Sequence, residues 1–152
     1  MDENVKKARD RIARLCSRRE MCRKEVREKL QNWGVDAEHI AKIENWLVES
    51  RYVDEERYAR AYVRNHLYLR KWGKIKIRTH LKEKQITGTM IDNALSEIPE
   101  EEYQEILRTE LLKKKKSLKP ANRFDLLARL QRFALSRGFE TDVVSRVLDD
   151  VL

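Results

Sequence analysis

Residues 77–98 read IRTHLKEKQITGTMIDNALSEI, and their apolar spacing decides the fold. Ile77 and Leu81 stand nine and five residues before Ile86, while Ile91, Ala94 and Ile98 stand five, eight and twelve after it. Steps of three to five residues on either side of an interruption describe two amphipathic helices joined at a turn. The spacing recurs twice. Val26, Leu30, Val35, Ile40, Ile43 and Leu47 repeat it 51 residues earlier, and Leu130, Ala134, Phe139, Val144, Val147 and Val151 repeat it 53 residues later. All 18 positions are apolar. The chain therefore reads as all-α, with three tandem three-helix repeats at roughly 1–53, 54–98 and 99–152. This period is too long for tetratricopeptide or ankyrin repeats, which run to about 33–34 residues. A module of about 50 residues is marginal alone, so stacked neighbours are expected to complete each core. A nine-helix globule without repeats is the alternative.

Composition agrees. Four Gly and two Pro in 152 residues leave little material for sandwich turns, a Gly-rich nucleotide loop or a flexible linker. The few breakers mark helix ends. Ser17-Arg18-Arg19-Glu20 has the form of a capping box, opening a helix that carries Val26 and Leu30 and stops at Gly34. Asp36, Asp54, Thr87 and Asn122 are N-cap candidates. Helices are predicted from Asp54 to about Lys71, over 74–84, from Thr87 to near Ile98, over 100–117, from Asn122 to Gly138 and over 141–151.

The formal net charge is +8, from 34 basic and 26 acidic residues, which points to a polyanion partner. The excess is concentrated. Residues 57–84 hold ten basic side chains against the single acid Glu83. On a helix, Arg57, Arg60, Arg64, Tyr68 and Lys71 fall within an arc of about 80°. Lys74, Arg78 and Lys82 line the next helix beside Ile77 and Leu81. Tyr68 and Trp72 could stack on bases between these cations, the combination that tracks a nucleic-acid backbone. A solvated face is the competing reading. Lys113–Lys116 with Lys119 form a second run at a helix end, where cations also suit the helix dipole.

Enzyme signals are missing: there is no Gly-rich phosphate loop and no HExxH, and His39, His66 and His80 have no partners at ligand spacing. The chain therefore reads as a non-enzyme with no cofactor and no metal. No stretch approaches the ~18 apolar residues of a membrane span. The start lacks an apolar signal region, so a cytoplasmic monomer with Cys16 and Cys22 reduced is expected.

Tyr52-Val53-Asp54-Glu55-Glu56-Arg57-Tyr58-Ala59-Arg60-Ala61-Tyr62-Val63 resembles the central signature of the RecX family, regulators of the RecA recombinase. Trp72-Gly73-Lys74-Ile75-Lys76-Ile77, then Leu81, Ile86, Ile91 and Ala94-Leu95, continue the resemblance. Ser17 to Glu20, Leu30, Gly34, Ile40 and Trp46-Leu47 are similar to the family's first module. Arg51 and Gln85 depart from it, standing where the family often has Gly. A non-Gly residue in a left-handed turn costs about 1 kcal/mol, so altered local turns are expected there. The resemblance implies a curved, elongated helical array that lodges in the groove of the RecA–DNA filament. It also implies inhibition of ATP hydrolysis and strand exchange, and binding to single- and double-stranded DNA. A general helical DNA-binding protein and a scaffold for an acidic protein partner are the rival readings.

Overall fold

The computed structural model describes residues 2–152. Among these there are nine α-helices and no strands. The first repeat comprises α1 (Glu3–Arg18), α2 (Arg23–Asn32) and α3 (Ala37–Glu49). The second comprises α4 (Glu55–Arg64), extended by a π-helical segment at Asn65–Leu69, with α5 (Lys74–Glu83) and α6 (Gly88–Ser96). The third comprises α7 (Glu100–Ser117), α8 (Arg123–Ser136) and α9 (Thr141–Val151).

The repeat spacing has a structural cause. Each anchor follows a left-handed residue: Gly34 at φ 81°, Gln85 at φ 62° and Gly138 at φ 92°. The anchor amide then bonds back to the carbonyl five residues earlier. Val35 donates to Leu30 at 3.1 Å, Ile86 to Leu81 at 3.1 Å and Phe139 to Ala134 at 3.2 Å. This is the Schellman arrangement, whose companion is an apolar contact between those same two residues. Hence the apolar pair at minus five and zero recurs three times. The α3–α4 connection uses the same device, with Arg51 at φ 62° and Tyr52 donating to Leu47 at 2.9 Å.

Arg51 and Gln85 therefore keep the left-handed turn and do not alter it. The polar contacts of Arg51 use its backbone, since its carbonyl accepts from Arg57 at 3.3 Å. Arg51→Gly should stabilise the chain by about 0.5–1 kcal/mol, the relieved strain less the added freedom of the unfolded chain. Urea unfolding would read this as a higher midpoint at unchanged slope.

The capping box predicted at Ser17 does not form. Ser17 lies in the last turn of α1, and its hydroxyl donates to the Ala13 carbonyl at 3.0 Å. The helix start falls at Cys22, whose amide donates to Glu25 at 3.2 Å. Glu20 instead receives Arg57, so long-range pairing overrides the local motif. Asp36, Asp54, Thr87 and Asn122 do cap their helices, each accepting an amide from its own first turn.

The cores divide unequally. The first repeat keeps its own, built on Ile12, Met21, Val26, Leu30, Ile43 and Leu47. The second and third share one, running from Tyr58 and Leu67 through Leu81 and Ile91 to Tyr103, Leu130, Phe139 and Val147. Their seam is backbone on backbone. Gly73 N–H donates to the Arg137 carbonyl at 2.6 Å and Ile75 N–H to the Gly138 carbonyl at 3.0 Å. Buried Tyr103 spans the same seam, accepting from the Lys74 amide at 2.9 Å and donating to Glu140. The first repeat joins the second mainly through polar contacts. Arg57 meets Glu20 at 2.5 Å, Lys24 reaches the Glu83 carbonyl at 2.9 Å and Arg27 reaches Gln85 at 2.7 Å. Cys22 is the residue of the first repeat that enters the larger core. Both cysteines are unpaired and buried, and desolvation pushes each thiol up to about 11, so both stay protonated near neutral pH.

Candidate nucleic-acid interface

The second repeat presents its basic residues from α4, the π segment and α5. α4 forms because Asp54 caps it and Glu55 and Glu56 complement the dipole in its first turn. It buries Tyr58, Ala59 and Val63 and leaves the arginines on other faces. The π segment then adds a residue to the turn, which rotates everything beyond it by about 100° relative to a continuous α-helix. Tyr68 and Lys71 consequently leave the line of Arg57, Arg60 and Arg64. Tyr68 turns toward α7, where desolvation and then the Glu102 carboxylate hold its phenol above the ordinary value. Lys71 closes the segment at φ 60°, and the amide after it, Trp72, donates to the His66 carbonyl at 2.9 Å.

The seven predicted contact cations thus fall into two groups. Some serve the fold. Arg57 binds Glu20 and the Arg51 and Tyr52 carbonyls, which locks α4 to the first repeat. Lys74 lies 3.8 Å from Glu100 and 4.5 Å above the Tyr103 ring, and Arg78 pairs with Asp92. The others, Arg60, Arg64, Lys71 and Lys82, have no ion-pair or hydrogen-bond partner among the described residues. Arg64 and Lys82 are exposed, and Arg60 and Lys71 are half-buried.

Trp72 belongs to an aromatic column. Tyr62 stacks on His66 at 3.7 Å, His66 meets Trp72 at 4.6 Å and Trp72 meets His80 at 4.7 Å. Lys76 caps the indole with its ammonium 4.5 Å from the ring centroid, and Arg70 lies 6.0 Å away. The Nδ1 atoms of His66 and His80 donate one turn back, to the carbonyls of Tyr62 at 2.8 Å and Lys76 at 2.9 Å. Both Nε2 atoms are left for other partners. Desolvation, aided by the Arg70 charge, holds the His66 imidazole below its ordinary value and therefore neutral near pH 7. Sequence spacing missed this column, although Tyr62 and His66, like Lys76 and His80, stand four apart on one helix face.

Tyr62, His66 and Arg70 also line a cleft of about 590 Å³ between the first two repeats, together with Arg19 and Lys84. Of its carboxylates, Glu20 holds Arg57 through Oε2 and keeps Oε1 buried without a partner, and Glu25 meets Lys84 at 3.4 Å. The surface that results sets Arg19 and Arg70, which have no ion pair among the described residues, beside an aromatic column. It can hold phosphates.

Family models for the first, second and third three-helix domains of RecX match residues 8–43, 54–95 and 100–148. The chain belongs to the RecX family. A regulatory protein RecX from Vibrio campbellii is 33% identical over 134 residues, covering 88% of this chain and 84% of the relative. One from Oceanobacillus iheyensis is 30% identical over 128 residues, or 84% of this chain, and here the chain spans only 47% of the relative's length. The crystal structure of RecX from Lactobacillus salivarius superposes with a TM-score of 0.86 at 21% identity, covering 99% of this chain and 98% of that one. A second RecX crystal structure gives a TM-score of 0.88 at 24% identity, covering 97% of this chain and 74% of that one. RecX membership places the chain among regulatory proteins, on an all-α fold of three three-helix repeats. No helix among the described residues is long and apolar enough to cross a membrane.

Proposed function

We propose that the chain is a negative modulator of the RecA recombinase, binding the groove of the RecA–DNA filament and inhibiting ATP hydrolysis and strand exchange. It acts by binding and not by chemistry, as a cytoplasmic monomer. The observation that carries this reading is the unpaired set Arg60, Arg64, Lys71 and Lys82 on the second repeat. Arg23 and Arg27, in contrast, share buried Glu44 at 2.6 and 3.1 Å. Cations left without partners in a chain with 26 acids suit an external anion. A protein groove lined by acids and threaded by DNA offers two sources of negative charge at once.

The alternative is a general helical DNA-binding protein with no tie to RecA. Fluorescence anisotropy separates the two. Labelled single-stranded DNA, bare or coated with RecA, is titrated with the chain at several salt concentrations. Tighter binding to the coated strand supports the filament reading. Binding to the bare strand alone, with a steep salt slope, supports the general one.

A further inference from the structure

The third repeat carries a second basic groove that the proposed filament contact does not use. Between the C-terminal half of α7 and one face of α8 lies an open cleft of about 530 Å³. Lys114 and Leu118 line one side, and Arg129, Arg132 and Phe133 line the other. The single carboxylate in it, Asp125, is already engaged by Arg129 at 3.1 Å and by the Ala121 amide at 3.0 Å. Lys114 lies 5.3 Å above the Phe133 ring with no ion-pair partner. Arg132 reaches only the Ala128 carbonyl, at 3.5 Å. Lys119, on the connection, and Arg123, opening α8, are exposed and unpaired among the described residues.

This combination has a chemical reading. Cations with no internal counter-charge fit a phosphate backbone. Exposed aromatic faces favour unpaired bases, whose π-faces are open, over a stacked duplex. We propose that the α7–α8 groove is a second binding site, for single-stranded DNA. Lys114 and Arg132 in the groove neutralise phosphates, Lys119 and Arg123 at its end extend the track, and Phe133 in its wall offers an aromatic face. With the face of the second repeat, the chain then engages two strand segments at once, which raises its avidity for a long strand without new contacts. The proposal shares with the functional reading only the premise that the chain binds DNA.

The test is the stoichiometry and affinity for a labelled oligothymidylate of about eight nucleotides, within the usual span of one site. The native chain is expected to bind two oligonucleotides. Lys114→Glu/Arg132→Glu is expected to bind one, and to hold a long strand about tenfold less tightly. Its salt slope should be shallower by about 1.4 for two lost single-strand phosphate contacts. Should that variant lose helical circular dichroism, Lys119→Glu/Arg123→Glu decides, because those side chains have no hydrogen-bond or ion-pair partner. One oligonucleotide per native chain, with groove variants unchanged, overturns the proposal and leaves the second-repeat face standing. A site lost only in the groove variants sustains the groove and removes that face. No binding to any strand overturns both.

Discussion

Gly138→Ala should be among the most destabilising single-methyl changes in the chain, and Gly73→Ala should follow it closely. A Cβ on Gly138 would lie 2.3 Å from the Lys76 Cβ and 2.7 Å from the Lys76 nitrogen. A Cβ on Gly73 would lie 2.3 Å from the Gly138 carbonyl carbon. Neither neighbour is the loose end of a side chain, so the seam must open to admit the methyl. Overpacking of this kind costs about 1–3 kcal/mol and occasionally more. At Gly138 the left-handed φ of 92° adds to this, by about 1–2 kcal/mol. Gly34 is the internal control. It holds the equivalent turn of the first repeat at φ 81°, with nothing within 4 Å of an added Cβ. Gly34→Ala should therefore lose only the strain component, about 1 kcal/mol. Thermal unfolding should rank the losses Gly138→Ala, then Gly73→Ala, then Gly34→Ala. Equal losses at Gly138 and Gly34 would mean that the seam is not close-packed.

The second large effect concerns binding. Arg60→Glu/Arg64→Glu/Lys82→Glu reverses three charges that have no partner in the fold. Three lost single-strand phosphate contacts should flatten the salt slope by about 2. They should weaken binding to single-stranded DNA by at least about tenfold, the equivalent of about 1.4 kcal/mol. Helical circular dichroism should stay unchanged, because no ion pair is broken. Arg57→Ala should behave in the opposite sense. It removes the pair with Glu20 and two bonds to carbonyls, so stability should fall while the exposed cations keep their binding. Equilibrium unfolding and anisotropy on the same samples read both quantities.

The contrast between Arg57 and Arg64 marks how far the sequence could be read. Helix positions were legible because Asp36, Asp54, Thr87 and Asn122 cap locally, and because the Schellman contact ties an apolar residue to one five places earlier. Both signals lie within a few residues of each other. The capping box at Ser17 misled for the opposite reason. Its Glu20 is taken by Arg57, 37 residues away, and spacing carries no information about such a pair. The π segment is equally silent in the sequence, yet it removes Tyr68 and Lys71 from a stripe that α-helical geometry draws straight. Charge excess located the candidate surface on the second repeat. Which cations remain free depended on Asp92, Glu100 and Glu20 arriving from other parts of the chain.

The DNA-dependent ATPase of RecA on single-stranded DNA, with the chain titrated from well below stoichiometric amounts, tests the central claim most directly. Inhibition by the native chain at low ratios to RecA is expected, with a clear loss of potency in Arg60→Glu/Arg64→Glu/Lys82→Glu. Undiminished ATPase with a cognate recombinase, or equal inhibition by the native and charge-reversed chains, would contradict the claim.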